Sequence, residues 1–145
     1  MRIVVGITGG IAAYKAVNVV RAFVLAGHDV QVIATEAALR FVGRPTLEAI
    51  SRNPVHSELY EGVAEVRHVA LGQHADLIVI APATANTLAK LAQGLADDLL
   101  GNTVLASTAP LVVNDKVIVG VAGVETERGA RSTRAPMGFV VAGSL

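Results

Sequence analysis

The chain has 145 residues, enough for one domain with a buried core; 52% of them are hydrophobic and only 3% aromatic, a balance that favours parallel strands covered by helices. Formal net charge is zero, with no basic cluster before residue 125, so nucleic acid and anionic membranes are poor partners. The absence of cysteine excludes disulfides, a thiolate nucleophile and a cysteine metal site, and fits a cytoplasmic protein.

Lys15, Asn18 and Arg21 interrupt the longest apolar stretch, well short of the roughly 18 residues of a membrane span. Gly6, Gly9 and Gly10 break up the amino terminus, against a signal peptide. The β-branched run Ile3-Val4-Val5 reads as a buried strand. It turns through Gly6-Ile7-Thr8-Gly9-Gly10 and enters a helical pattern at Ile11. Strand, glycine turn and helix start together form an anion-binding device. Glycines let the backbone come close, and free N–H groups at the positive end of a helix dipole face the bound group. A phosphate is the usual occupant, although a tight βα turn without a ligand uses the same residues. Ile11 to Ala26 reads as a helix with its polar residues on one narrow stripe, buried on most of its girth against a sheet and a second subunit. Gly27 stops it. Val30 to Ala34 is then strand two, completing a parallel β–α–β unit with a right-handed crossover.

A nicotinamide dinucleotide site wants G-x-G-x-x-G in the first turn and an acid at the end of strand two. The turn here is G-x-x-G-G, and strand two ends in Thr35, a hydroxyl placed for a phosphate or for capping a helix over Glu36 to Phe41. Glu36 keeps a nicotinamide reading open. Gly43-Arg44-Pro45 breaks the chain, Thr46 caps a short helix to Ser51, and Asn53-Pro54 turns the chain again. Val55 to Ala64 reads as an irregular loop over one end of the sheet. Leu77 to Ala81 is the clearest buried strand after the first. Pro82-Ala83 turns it, and Thr84-Ala85-Asn86-Thr87 starts a helix running to about Gly94. Two such helix starts at the carboxyl edge of one parallel sheet make a single crevice. No histidine pair lies at metal-ligand spacing with a carboxylate, so no metal is expected. His68 stands just before an apolar stretch; by residue type alone, a lone histidine is more often structural than catalytic.

The segments GITGGIAAYKA, ATEAALRFV and HVALGQHADLIVIAPATANTLAKLAQGLADDLL are similar to the flavin-dependent cysteine decarboxylase family, over Met1 to about Val113. Within it the chain resembles the phosphopantothenoylcysteine decarboxylases of coenzyme A biosynthesis. The resemblance implies an α/β fold, a flavodoxin-like or Rossmann-like doubly wound parallel sheet with helices on both faces. It implies FMN as cofactor and a homo-oligomer, a trimer or higher, with the flavin at a subunit interface. Gly9, Gly10 and Ile11 match the family's first FMN loop, Thr35 its phosphate-binding hydroxyl, and Thr84, Ala85, Asn86 and Thr87 its third FMN loop. His68 matches its catalytic acid or base, which reverses the bland reading; an imidazole titrating near pH ~6.5 suits proton transfer around neutrality. The implied reaction is flavin oxidation of the cysteine side chain of 4′-phospho-N-pantothenoylcysteine to a thioaldehyde, loss of CO2, and return of electrons to give 4′-phosphopantetheine.

Residues 1–113 are therefore expected to form an FMN-binding decarboxylase-like domain, and residues 114–145 an atypical tail. After Val113 the family continues Ala-Pro-Ala-Met-Asn, which helps clamp the substrate carboxylate. This chain reads Asn114-Asp115-Lys116, a hairpin turn between β-branched runs. Ala135-Pro136-Met137 echoes the motif without its Asn. Glu125 to Arg134 has a solvated, disordered profile. The cysteine that the pantothenoyl enzymes use for enethiol reduction is absent. Two other classes stay open: a catalytically inactive or regulatory FMN-binding subunit, and another flavoenzyme of the same fold, such as a flavin prenyltransferase.

Overall fold

The computed structural model describes residues 1–57, 64–114, 116–120 and 139–144, with side chains over 1–57 and 69–114. Strand β1 (Arg2–Ile7) is the centre of the sheet and pairs in parallel with β2 (Asp29–Ala34) on one side and β4 (Leu77–Ile80) on the other. The two-residue β3 (Val55–His56) adds in parallel to β2, and β5 (Leu111–Val113) adds in parallel to β4. The order β3-β2-β1-β4-β5 is that of a Rossmann sheet. Two antiparallel strands, β6 (Lys116–Gly120) and β7 (Phe139–Ser144), extend it beyond β5.

Alternation along β1 explains the two-sided core. Ile3, Val5 and Ile7 face one way and pack with Ala13, Ala16 and Val20 of helix α1 (Ala13–Leu25), Ala38 of α2 (Glu36–Leu39) and Leu47 of α3 (Arg44–Ser51). Val4 faces the other way, with Ile78 and Ile80 of β4 and Leu99, Leu100 and Val104 of α6 (Leu99–Leu105). Leu71 of α4 (Ala64–Gln73) and Leu91 of α5 (Ala85–Gln93) pack onto this second cluster. Helices thus cover both faces of a parallel sheet, as its near-continuous aliphatic strands require. Gly6 falls under α6: a Cβ there would lie 2.6 Å from Leu100 Cδ1.

Several local readings shift. Helix α1 starts at Ala13 rather than Ile11, because Gly10 N–H turns back to the Thr8 carbonyl at 2.8 Å and Ala13 N–H to the Gly10 carbonyl at 2.9 Å. Gly27 (φ 85°) ends it as expected. The cap of α3 is Gly43, not Thr46: Gly43 is extended, Pro45 sits in the first helical turn, and Thr46 N–H already bonds the Gly43 carbonyl at 3.1 Å. Part of the segment read as irregular is β3; residues 58–63 lie outside the described residues. The apolar stretch around His68 is helix α4. Helix α6 was not foreseen, although Asp98 caps it, its carboxylate accepting from Gly101 N–H at 2.7 Å. The turn expected at Asn114 is present: Val113 pairs with Lys116 across it, and Asn114 is left-handed (φ 53°). The segments Glu125 to Arg134 and Ala135-Pro136-Met137 lie outside the described residues.

Candidate functional site

The strand order reverses between β1 and β4, so the crevice of the fold opens at their carboxyl ends. The chain leaves β1 through Thr8 and the glycine turn, and leaves β4 through Ala81 to Thr84. These two turns touch. Thr8, only 1% exposed, donates its hydroxyl to the Pro82 carbonyl at 2.6 Å and accepts from Thr84 N–H at 2.9 Å. Its backbone N–H also reaches the Pro82 carbonyl, at 3.3 Å. One small hydroxyl therefore sets the separation of the two turns.

The glycines divide their work. A Cβ at Gly9 would lie 2.3 Å from the Cβ of Ala37 in α2, so this glycine is demanded by packing. A Cβ at Gly10 would meet Pro82 Cγ at 3.7 Å and Thr84 Cγ2 at 3.8 Å, ordinary contact distances, so Gly10 lines a narrow slot between the turns that a larger side chain would fill. Ile11 follows, 81% exposed. The third segment is tied in at Thr35, whose N–H donates to the Ile7 carbonyl at 3.0 Å. The Thr35 hydroxyl accepts from Ala38 N–H at 3.2 Å and so caps α2.

Across the slot, the Thr84 hydroxyl caps α5, accepting from Thr87 N–H at 3.3 Å, and lies 3.1 Å from the hydroxyl of the buried Thr87. Ala85 and Asn86, in the first turn of α5, are exposed. Neither α1 nor α5 carries an acidic residue in its first turn, leaving both positive ends uncancelled, whereas α2 carries Glu36. Three of the four segments singled out from the sequence thus meet at one sheet edge: 9–11, 35 and 84–87. His68 lies in the amino-terminal half of α4, a helix that runs back between β3 and β4 and so starts toward that same edge. Its side chain lies outside the described residues.

Two residues here were not singled out as site residues from the sequence. Thr8 was visible only as a hydroxyl inside a glycine turn. Asn114 was read as a turn residue, yet its side-chain oxygen accepts from Ala83 N–H at 3.2 Å. Beyond the slot, Lys90 at the end of α5 contacts both carboxylate oxygens of Asp97 at 2.9 Å. That bond raises the lysine and lowers the aspartate from their ordinary values. The pair is exposed and fastens α5 to the loop before α6 without bearing on the slot.

A phosphate-bearing cofactor fits this arrangement: two uncancelled helix ends and a cluster of hydroxyls converge where Gly10, without a side chain, faces the β4 turn. The comparisons agree on the class. The Flavoprotein family profile matches residues 1–119, and the chain belongs to that family. Among its relatives, the coenzyme A biosynthesis bifunctional protein CoaBC of Mycolicibacterium smegmatis is 59% identical over 111 residues, 77% of this chain and 27% of the relative. The chain thus spans about a quarter of the length of the curated relatives it matches. Among solved structures, the FMN-dependent cysteine decarboxylase SpaF has a TM-score of 0.70 at 34% identity, covering 84% of this chain and 70% of SpaF. A PPC decarboxylase mutant complexed with pantothenoylaminoethenethiol has a TM-score of 0.63 at 31% identity, covering 77% of this chain and 64% of that one. Among the described residues, no helix is long and apolar enough to cross a membrane.

Proposed function

We propose that the chain binds FMN in the slot between β1 and β4 and acts in the FMN-dependent decarboxylation of 4′-phospho-N-pantothenoylcysteine, in the cytoplasm. The observation that carries this reading is the Thr8 bridge, which holds two helix starts side by side at the switch point. The relatives named above support the substrate class, since one is a coenzyme A biosynthesis protein and another a PPC decarboxylase.

In this reading the N–H groups of Gly9 and Ile11 and of Ala85 and Asn86, with the Thr35 hydroxyl, hold the phosphate and orient the ring. Gly10 leaves room for it. Bound FMN supplies hydride acceptance from the substrate's cysteine side chain, after which carbon dioxide leaves readily. His68 moves a proton at the substrate, and its helix start toward the carboxyl edge supports that role.

A homo-oligomer, trimer or higher, goes with it. Ile11, Tyr14 and Leu25, at and just before α1, are 81%, 57% and 71% exposed, a large apolar area for one chain to leave in water. The mass of the purified protein in solution tests this; a monomer at all concentrations contradicts it.

The function is tested by CO2 release from phosphopantothenoylcysteine with FMN present. His68→Asn is expected to retain the flavin spectrum and to lose at least ~100-fold in turnover, the scale of a lost general acid or base. Full turnover in that variant removes His68 from the mechanism. FMN binding without any CO2 release from the unaltered chain favours a second reading, an inactive or regulatory FMN-binding subunit. That reading is motivated by the chain's turn at Asn114, where the family continues into its substrate clamp.

A further inference from the structure

The turn that carries Thr84 is held on both flanks. On the β1 side, Ala81 N–H bonds the Gly6 carbonyl at 3.0 Å and Thr8 bridges Pro82 and Thr84. On the β5 side, among the described residues, the hydrogen bonds to this end of β4 and its turn come from one residue. Asn114 donates its backbone N–H to the Ile80 carbonyl at 3.1 Å, and its side-chain oxygen accepts from Ala83 N–H at 3.2 Å.

The first is the last rung of the β4–β5 ladder; the second goes with a turn of the chain away from the strand direction at that point. Asn114 makes that turn with φ 53°, a left-handed conformation that asparagine tolerates better than most residues. Its side chain is then directed at the next N–H along, one residue before the cap of α5. Without that acceptor, Ala83 N–H has no partner among the described residues, and on the β5 side only the Asn114 backbone bond to the end of β4 remains.

We propose that Asn114 is a positioning residue for the cofactor slot, fixing the start of α5 against β1 from the opposite flank to Thr8. This rests on the FMN reading given above. It makes the first residue of the divergent tail part of the binding apparatus: the departure from the family at this position contributes a hydrogen bond that sets the slot.

The test uses the full chain and two variants. Asn114→Gly keeps the left-handed backbone at no steric cost and removes only the acceptor. Asn114→Asp keeps an acceptor in the same place. FMN titrations are run in ~0.5 M salt, where a screening length of about 4–5 Å mutes the added charge. The glycine variant is expected to bind FMN about threefold to tenfold more weakly, the equivalent of one ordinary hydrogen bond. The aspartate variant is expected to stay within about twofold of the unaltered chain on the same scale. In the ligand-free protein, exchange of the Ala83 amide is expected to speed up in the glycine variant and not in the aspartate variant, with little change in melting temperature in either. Glycine-variant binding equal to that of the unaltered chain overturns the inference and leaves the FMN reading standing. So does an aspartate variant as weak as the glycine one. An unaltered chain that takes up no FMN overturns the FMN reading, and the inference with it.

Discussion

Gly9 and Gly10 are adjacent and alike in sequence, yet their surroundings separate them. Gly9 is pressed against Ala37, whereas a Cβ at Gly10 would make only ordinary contact with Pro82 and Thr84. Gly9→Ala must push α2 off the sheet edge and is expected to destabilise the fold by roughly 1–3 kcal/mol. Gly10→Val is expected to leave the melting temperature nearly unchanged and to weaken FMN binding by at least ~10-fold, since the added carbons occupy the slot. Equal effects of the two substitutions on stability would contradict this division. Thr8→Val keeps the shape of the side chain but strips Thr84 N–H of its acceptor; Pro82 retains the backbone N–H of Thr8. We expect a loss of about 1–3 kcal/mol of stability, together with weaker FMN binding, both restored in Thr8→Ser. The glycine turn between β1 and α1 was legible from residue order alone. The separate duties of its two glycines were not, because Ala37 lies 28 positions away in sequence and reaches Gly9 only through the fold.

At the scale of elements, strands with β-branched runs could be read directly, as could the helices that Thr35 and Thr84 begin, whereas α6 with its Asp98 cap could not. Thr35 and Thr84 both act as the caps their positions suggested. Helix α4 was harder, because its apolar residues bunch at Val69 to Leu71 instead of recurring at a helical interval. Gly72 lets it pack closely against α6: a Cβ there would stand 2.5 Å from the Thr103 carbonyl oxygen. The amino edge of the sheet has its own fastening. Asp29, at the start of β2, receives Arg2 Nε at 3.2 Å, Gln31 Nε2 at 3.0 Å and Asn53 Nδ2 at 3.1 Å. Burial pushes its carboxyl up, but these bonds outweigh it and hold the carboxyl below the ordinary 3.8. A carboxylate lowered in the folded state contributes stability above pH 3.8 that is lost as the pH falls through its folded value. Asp29→Asn should therefore lose at most about 1 kcal/mol at neutral pH, as expected for exposed pairs. Its acid-limb denaturation should also be shallower than that of the unaltered chain. Parallel acid limbs for the two proteins would show that Asp29 carries none of this pH dependence.

For the whole molecule, a parallel sheet of Rossmann order leads to one crevice, and three segments spread between residues 9 and 87 meet there. The two antiparallel strands after Asn114 lengthen the sheet on the side away from β2. The hairpin was legible because asparagine between β-branched runs marks a turn; its bond to Ala83 was not, because it joins two strand ends 31 residues apart. The central claim is that the slot between β1 and β4 takes FMN. Titration of the purified, flavin-free chain with FMN, followed by flavin absorbance and fluorescence, tests it most directly. We predict saturable uptake at a single site per chain with a shifted flavin spectrum, weakened at least ~10-fold in Gly10→Val. No uptake at about 1 mM FMN, corresponding to an affinity weaker than ~4 kcal/mol, contradicts the account.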